Sequence, residues 1–163
     1  MKRIVFVPIL LLFLVLCSCH GQRYGILSYQ ESDIYAECSL NGEYKIAVSK
    51  SESERSVRFL SPESLSSVSF VERNGEIVGC AGEIEIPFDK ENLSGVLAII
   101  SMFSLDEGSL VSAVGDKANA CMEFNNTLGT YKITLGENDL PKRIEILSEG
   151  YEFDILVEAI KLN

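Results

Sequence analysis

The chain has 163 residues, of which 24 are acidic and 14 basic, so its formal net charge is −10. An acidic surface repels the phosphates of nucleic acids and of anionic membranes, which disfavours both as electrostatic partners. His20 is the only histidine, and nucleophilic systems with an imidazole base need one inside the folded domain. We therefore predict no enzyme, no metal site and no cofactor.

The first 19 residues form a basic start, an apolar run and a cysteine. Lys2 and Arg3 precede an apolar run over residues 4–16, and Ser18 stands directly before Cys19. As a helix, these 13 residues would span about 20 Å, which is too short for the roughly 30 Å core of a bilayer. The segment resembles the signal peptide and lipobox of bacterial lipoproteins, which implies cleavage before Cys19 and lipidation of that cysteine.

Two alternatives compete with this interpretation. An ordinary secretory signal ends in a small-x-small site, which Leu16 and Ser18 do not form. Cys17 is a rival acceptor, but the bulky Leu16 before it disfavours cleavage there. The lipobox divides the chain into a signal peptide (1–18), a lipidated tether (19–28) and one β domain (29–163), with a mature net charge of −12. It implies an acyl anchor in a bacterial cell membrane, with the domain on the extracytoplasmic side.

The domain begins with an alternating pattern. Apolar and polar residues alternate over 34–40 and again over 44–48, which predicts two strands. We predict a three-residue loop, Leu40-Asn41-Gly42, with a bulge, because it places Cys38 opposite Tyr44 and keeps both apolar faces on one side. A two-residue loop would turn the apolar face of one strand against the polar face of the other.

Two further hairpins have clearer registers. A tight turn at Asn74-Gly75 places Arg73 opposite Glu76, whereas a three-residue loop would oppose two glutamates. Across a turn at Glu149-Gly150, Ile144 and Ile146 align with Ile155 and Phe153. The remaining predicted strands are 57–60, 83–86, 110–114, 120–124, 131–135 and 151–157.

One segment breaks the strand pattern. Residues 92–105 are almost continuously apolar, and their number favours a helix over a long buried strand, with Asp89 or Asn92 as the cap. A helix that is apolar all round should be enclosed on most sides. We therefore predict a mainly β (α+β) fold, a curled antiparallel sheet or half-barrel that encloses one apolar helix.

Two short motifs carry a family resemblance. Phe59-Leu60-Ser61-Pro62-Glu63-Ser64-Leu65 precedes the Asn74-Gly75 hairpin, and Asp139-Leu140-Pro141-Lys142-Arg143-Ile144-Glu145-Ile146 precedes the last strand. With this fold, the chain resembles the LolA/LolB-like superfamily of lipoprotein carriers. The resemblance implies an incomplete barrel whose concave face holds acyl chains or another apolar ligand. The chain departs from the carriers in two ways: it has no long amphipathic helix before the first strand, and their later helices are reduced to one. No carrier-family functional residue is assigned here.

The predicted function is binding or transfer of a hydrophobic ligand, a lipid or a lipidated protein. The candidate lining residues lie on the helix and on inward positions of the strands: Phe59, Phe70, Leu97, Ile100, Phe103, Met122 and Phe124. The alternative is that these side chains pack on one another in a filled core. In that case the protein is an envelope interaction module that binds no ligand.

Three cysteines follow the anchor: Cys38, Cys80 and Cys121. Their odd number and spacing predict free, structural thiols, although an exported protein leaves one disulfide open.

Overall fold

The computed structural model describes residues 28–88, 93–115 and 119–163. The predicted signal peptide, Cys19, the tether up to residue 27 and the candidate caps Asp89 and Asn92 lie outside these residues. Within the described ranges, no helix is both long enough and apolar enough to cross a membrane.

The described residues form eleven strands and one α-helix. The strands are β1 (Ile34–Leu40), β2 (Tyr44–Lys50), β3 (Glu54–Ser61), β4 (Val68–Arg73), β5 (Glu76–Ala81), β6 (Ile84–Phe88), β7 (Leu110–Val114), β8 (Cys121–Asn126), β9 (Gly129–Leu135), β10 (Pro141–Ser148) and β11 (Tyr151–Leu162). The helix, α1, spans Ser94–Ser101, and short 3₁₀ turns cover Ser28–Glu31, Glu63–Leu65, Glu107–Ser109 and Glu137–Asp139.

All eleven strands belong to one antiparallel sheet in the order β6-β5-β4-β3-β2-β1-β11-β10-β9-β8-β7. The sheet consists of two meanders, β1–β6 and β7–β11, which are joined where the first strand pairs with the last. The two edge strands are β6 and β7, so the sheet is not closed, and α1 lies between them in the chain. The prediction of a mostly β fold with one helix is confirmed for the described residues, and the open sheet is consistent with a half-barrel.

The two later hairpins have the predicted registers. Arg73 pairs with Glu76 across Asn74-Gly75, and both turn residues have positive φ, 52° and 80°. At the C-terminus, Ile144 pairs with Ile155 and Ile146 with Phe153.

The loop of the first hairpin differs from the predicted one. Its loop has three residues, but they are Asn41, Gly42 and Glu43, so Cys38 pairs with Ile46 instead of Tyr44. The shift of two residues keeps the same side chains on the same face. Asn41 is held by β11: its side-chain oxygen accepts the backbone N–H of Asp154, and its own N–H donates to the Asp154 carbonyl, both at 2.7 Å.

The helix is shorter than predicted. It ends at Ser101, yet Met102, Phe103 and Leu105 beyond it are buried, so the apolar run indicates burial and not helix length. Residues 97–101 are all buried, and five consecutive residues face every direction around a helix. The helix contacts β3 and β10, although three strands lie between these two in the sheet. Enclosure of the helix by the sheet stays a prediction.

The core lies on one face of the sheet, here called the inner face. The core cluster takes its buried side chains from β1–β3, α1 and its following loop, β8–β11 and Tyr29 of the first turn. We call β8–β10 the filled wing and β4–β6 the open wing. Among the described residues, the open wing adds only the half-buried Phe70 to the margin of this cluster.

The cysteines are free thiols, and Cys38 is buried in the core while Cys80 and Cys121 are partly exposed. Burial raises the pKa of the Cys38 thiol to about 12, so it stays protonated and behaves as a small apolar side chain.

Candidate functional site

The predicted lining residues fall into two groups. Leu97, Ile100, Phe103, Met122 and Phe124 are buried, and all but Leu97 belong to the core cluster. These side chains pack among their neighbours and are not exposed at an open surface. Their role in ligand binding stays a prediction.

Phe59 and Phe70 are half-buried and lie at the margin of the core. The Phe59 ring packs edge-on against Tyr44, with ring centroids 6.0 Å apart. The Phe70 ring lies 6.0 Å from that of Phe88 on the edge strand β6. Phe70 therefore connects the core to the open wing.

An exposed apolar surface covers the inner face of the open wing. Ile84, Ile86 and Phe88 of β6 are opposite Ala81, Gly79 and Ile77 of β5, and Gly79 is opposite Phe70. Paired residues share a face of the sheet, and Phe70 pairs with the core residue Val57, so this is the inner face. We call Phe70, Ile84, Ile86 and Phe88 the apolar strip.

The apolar strip is open to solvent. Ile84, Ile86 and Phe88 are 65%, 46% and 39% exposed. Large apolar side chains that are exposed together, rather than singly, mark surfaces for binding.

Gly79 shapes a depression in this strip. A Cβ atom at Gly79 would lie 2.4 Å from the Phe88 ring, which is a clash, and 3.4 Å from that of Phe70, which is an ordinary contact, so glycine is what lets the Phe88 ring approach the sheet. The depression has a volume of about 90 Å³ and is lined mainly by Val68, Phe70, Ala81, Ile86 and Phe88. Pockets that enclose a whole small molecule are usually several times larger, so a ligand here would lie along the strip.

A charged cleft of about 370 Å³ lies at one end of the inner face. We define the charged cleft by Lys50, Arg55, Glu72 and Ser104, which line it. Arg55 Nη2 and Glu72 Oε2 are 2.7 Å apart, and the Glu72 side chain is only 9% exposed. The guanidinium is therefore in ion-pair contact with a largely buried carboxylate.

Lys50 is held by the first turn of the domain. Its Nζ donates to the backbone carbonyl of Gln30, and the Gln30 side chain donates to the carbonyl of Leu105 in the loop after α1. Burial lowers the pKa of Lys50, and the negative charge of Asp33 opposes this effect. The cleft also borders the core: burial raises the pKa of Tyr131 to about 12, and the charge of Arg55 acts in the opposite direction.

The charged cleft and the apolar strip lie on neighbouring parts of the inner face. Arg55 pairs with Glu72, Glu72 with Ile77, and Ile77 with Phe88, so these side chains form one row across the inner face. Adjacent strands are about 4.8 Å apart, which puts Phe88 about 10 Å from Glu72. The buried Ile77 lies between them, and the ring of Phe70, two residues before Glu72 on the same face, contacts that of Phe88.

Sequence reasoning found only Phe70 of the apolar strip and no residue of the charged cleft. The alternation Glu83-Ile84-Glu85-Ile86-Pro87-Phe88 was the available signal for the strip, because it puts every apolar residue of β6 on one side. No pattern indicated the cleft, since its residues come from three strands and a loop. In the described part of the chain, no group of His, Cys, Asp and Glu could hold a metal ion.

No protein-family model matches the chain, and no curated protein matches its sequence. Solved structures to which the chain is similar include the following two. An uncharacterized conserved protein from Thermus thermophilus has 15% sequence identity and a TM-score of 0.48, over 85% of this chain and 83% of that chain. A LolA superfamily protein from Nitrosomonas europaea has 11% identity and a TM-score of 0.45, over 85% of this chain and 92% of that chain.

Proposed function

We propose that this protein is a lipid-anchored, extracytoplasmic bacterial lipoprotein that binds the acyl chain of a membrane lipid on its apolar strip. The observation that carries the proposal is that Ile84, Ile86 and Phe88 of β6 lie on the inner face, where the core is, and yet are exposed. The proposed role is binding or transfer, with no catalytic step.

The shape of the strip supports an acyl chain as the occupant. From Ile84 to Phe88 the strand covers four residue steps, about 13 Å, and the depression at Gly79 is narrow and flanked by two phenyl rings. A linear hydrocarbon fits such a groove, and each buried methylene contributes about 0.8 kcal/mol. The proposed anchor adds proximity, because a tether of ten residues (19–28) reaches at most about 35 Å.

The proposal is tested on the full-length, processed protein in lipid nanodiscs. A hexadecanol that carries a photoactivatable diazirine is crosslinked, and the labelled peptides are identified by mass spectrometry. We expect labelling on β4–β6. In Ile86→Ser the apparent affinity should fall about tenfold, since several methylene contacts of about 0.8 kcal/mol each are lost.

Val114→Ser is the matched control. Val114 is 69% exposed on the other edge strand, β7, and pairs with Cys121, which faces away from the core. This variant should label as the parent does. Labelling of other peptides only, or equal affinity in both variants, would contradict the proposal.

A second candidate function is an envelope interaction module. The filled core and the free edge of β6 favour it, because an edge strand offers unpaired backbone groups to another chain. Crosslinking in intact membranes should then yield a stoichiometric protein partner on β6. A β6 peptide labelled by the lipid probe alone would exclude this alternative.

A further inference from the structure

We propose that the charged cleft binds the anionic headgroup, a carboxylate or a phosphate, of the lipid whose chain lies on the apolar strip. This inference rests on the proposed function and adds the chemical class of the ligand, an anionic amphiphile. The observation behind it is the position of Lys50 and Arg55 at the end of the row that leads to Phe88.

Arg55 has N–H donors that its ion pair does not use. A guanidinium carries five N–H groups, and among the described residues its ion pair is with Glu72 alone. The Glu72 side chain is only 9% exposed, and its Oε2 contacts one nitrogen of the guanidinium, Nη2. Such an arrangement leaves the outer N–H groups of Arg55 ready for carboxylate or phosphate oxygens, which guanidinium groups bind well.

Lys50 supplies the second positive charge. It pairs across the strands with Arg55, so both side chains point to the inner face. Lys50 donates one N–H to the Gln30 carbonyl, and an ammonium has three. Its partial burial strengthens any interaction with an anion, because the local dielectric constant is lower than that of water.

The acidic groups near the cleft offset part of this positive charge. Glu72 neutralises Arg55 in their ion pair, whereas Glu54 is paired with Arg73 at 2.6 Å. Glu52 is exposed, and Asp33 acts on Lys50 through its negative charge. In the part of the chain that the structure describes, neither carboxylate forms an ion pair with Lys50. The net charge of −10 disfavours contact with a whole anionic membrane surface, whereas a single headgroup inside the cleft meets the charge of Lys50 and the remaining N–H donors of Arg55 at short range.

The positions of these residues allow one lipid to contact the charged cleft with its headgroup and the apolar strip with its acyl chain. The row Arg55–Glu72–Ile77–Phe88 and the ring of Phe70 leave no polar residue between Glu72 and the strip. A lipid whose headgroup contacts Arg55 can therefore lay its first methylenes on Phe70 and its later ones beside Phe88 and Ile86.

The test compares four photoactivatable probes of equal chain length in nanodiscs: hexadecanoic acid, hexadecyl phosphate, hexadecanol and hexadecyltrimethylammonium. We expect the parent protein to bind one or both anionic probes at least tenfold more tightly than the alcohol, and the cation most weakly. Higher salt should weaken anion binding and leave the alcohol unchanged. The ratio between acid and phosphate identifies which oxygen headgroup the cleft prefers.

Lys50→Gln should lower the affinity for the anionic probes about tenfold and leave the alcohol unchanged. Lys45→Gln is the control, because Lys45 lies on the same strand, faces the other side of the sheet and pairs with Glu158 at 3.0 Å. The double variant Arg55→Gln with Glu72→Gln removes both charges of the pair, so that no unpaired buried charge remains. It should show the same selective loss.

The outcomes distinguish the proposed headgroup site from the proposed acyl-chain site. Equal binding of acid and alcohol by the parent, with labelling on β4–β6, overturns the headgroup site and leaves the acyl site in place. Absence of labelling on β4–β6 by all four probes overturns the proposed function itself. Loss of alcohol binding in Lys50→Gln would also contradict the inference, because the cleft would then act on the chain and not on the headgroup.

Discussion

Both wings of the sheet have apolar side chains on the inner face. In the filled wing these side chains are buried, whereas on the edge strand of the open wing they are exposed. In the filled wing, Met122, Phe124 and Ile133 are at most 1% exposed. In the open wing, Ile84 and Ile86 occupy equivalent inward positions and remain exposed. An apolar residue on the inward side of a strand is therefore not buried by its position alone; burial depends on what covers that part of the sheet.

The cover comes from α1 and the loop after it. Their buried side chains, including Ile100, Met102 and Phe103, belong to the same cluster as those of the filled wing. Among the described apolar side chains of the open wing, only Ile77 is buried to a similar degree, and Phe70 is half-buried. We infer that stability resides mainly in the filled wing, and that the open wing is free to serve binding.

The largest expected effect comes from a charge in the filled region. Ile100→Asp places a carboxylate at a fully buried position of α1, and an unpaired buried charge is strongly unfavourable. We expect a loss of several kcal/mol in the free energy of unfolding, or no folding. Ile84→Asp on the open wing should change stability by less than about 1 kcal/mol. Chemical denaturation followed by circular dichroism compares the two variants, and equal losses would contradict the distinction between the wings.

Two phenylalanine-to-alanine variants test the same difference between the filled wing and the open wing. Phe124→Ala in the filled wing should cost about 3–5 kcal/mol, because the cavity it leaves is surrounded by packed side chains. Phe88→Ala removes a ring that is already 39% exposed, so we expect a smaller loss, about 1 kcal/mol. Unfolding free energies from urea titration provide the measurement, and a larger loss for Phe88→Ala would show that the strip belongs to the core.

The smallest effect on stability is expected for Gly79→Ala. The added methyl group would meet the Phe88 ring at 2.4 Å, and this ring lies on the exposed edge strand, where it can move aside. Stability should therefore change by less than about 1 kcal/mol, while the depression between Phe70 and Phe88 is filled. The hexadecanol probe should bind more weakly to this variant, and an unchanged affinity would mean that the depression takes no part in binding.

The sequence predicted those parts of the fold that depend on neighbouring residues. The turns at Asn74-Gly75 and Glu149-Gly150 have the expected registers because turn chemistry and face matching agree. The first hairpin was predicted two residues off because Asn41 is fixed by Asp154, which is 113 residues away in the chain. No local pattern contains that contact.

The candidate site was less predictable for the same reason. Residues such as Met122 and Phe124 were identified as inward-facing, and they are, but facing inward does not distinguish a binding surface from a core. The exposed strip could be recognised only once β6 was known to be an edge strand. Arg55 and Glu72 are distant in sequence and come together through the register of β3 and β4.

The pairing of β1 with β11 also has a consequence for the order of folding. Ile34 pairs with Leu162, so the first strand of the domain finds one of its two neighbours only when the last strand is available. Contacts of such long sequence separation slow folding, because the loop between them must be closed first. During synthesis from the N-terminus, one edge of β1 therefore stays unpaired until β11 has been made.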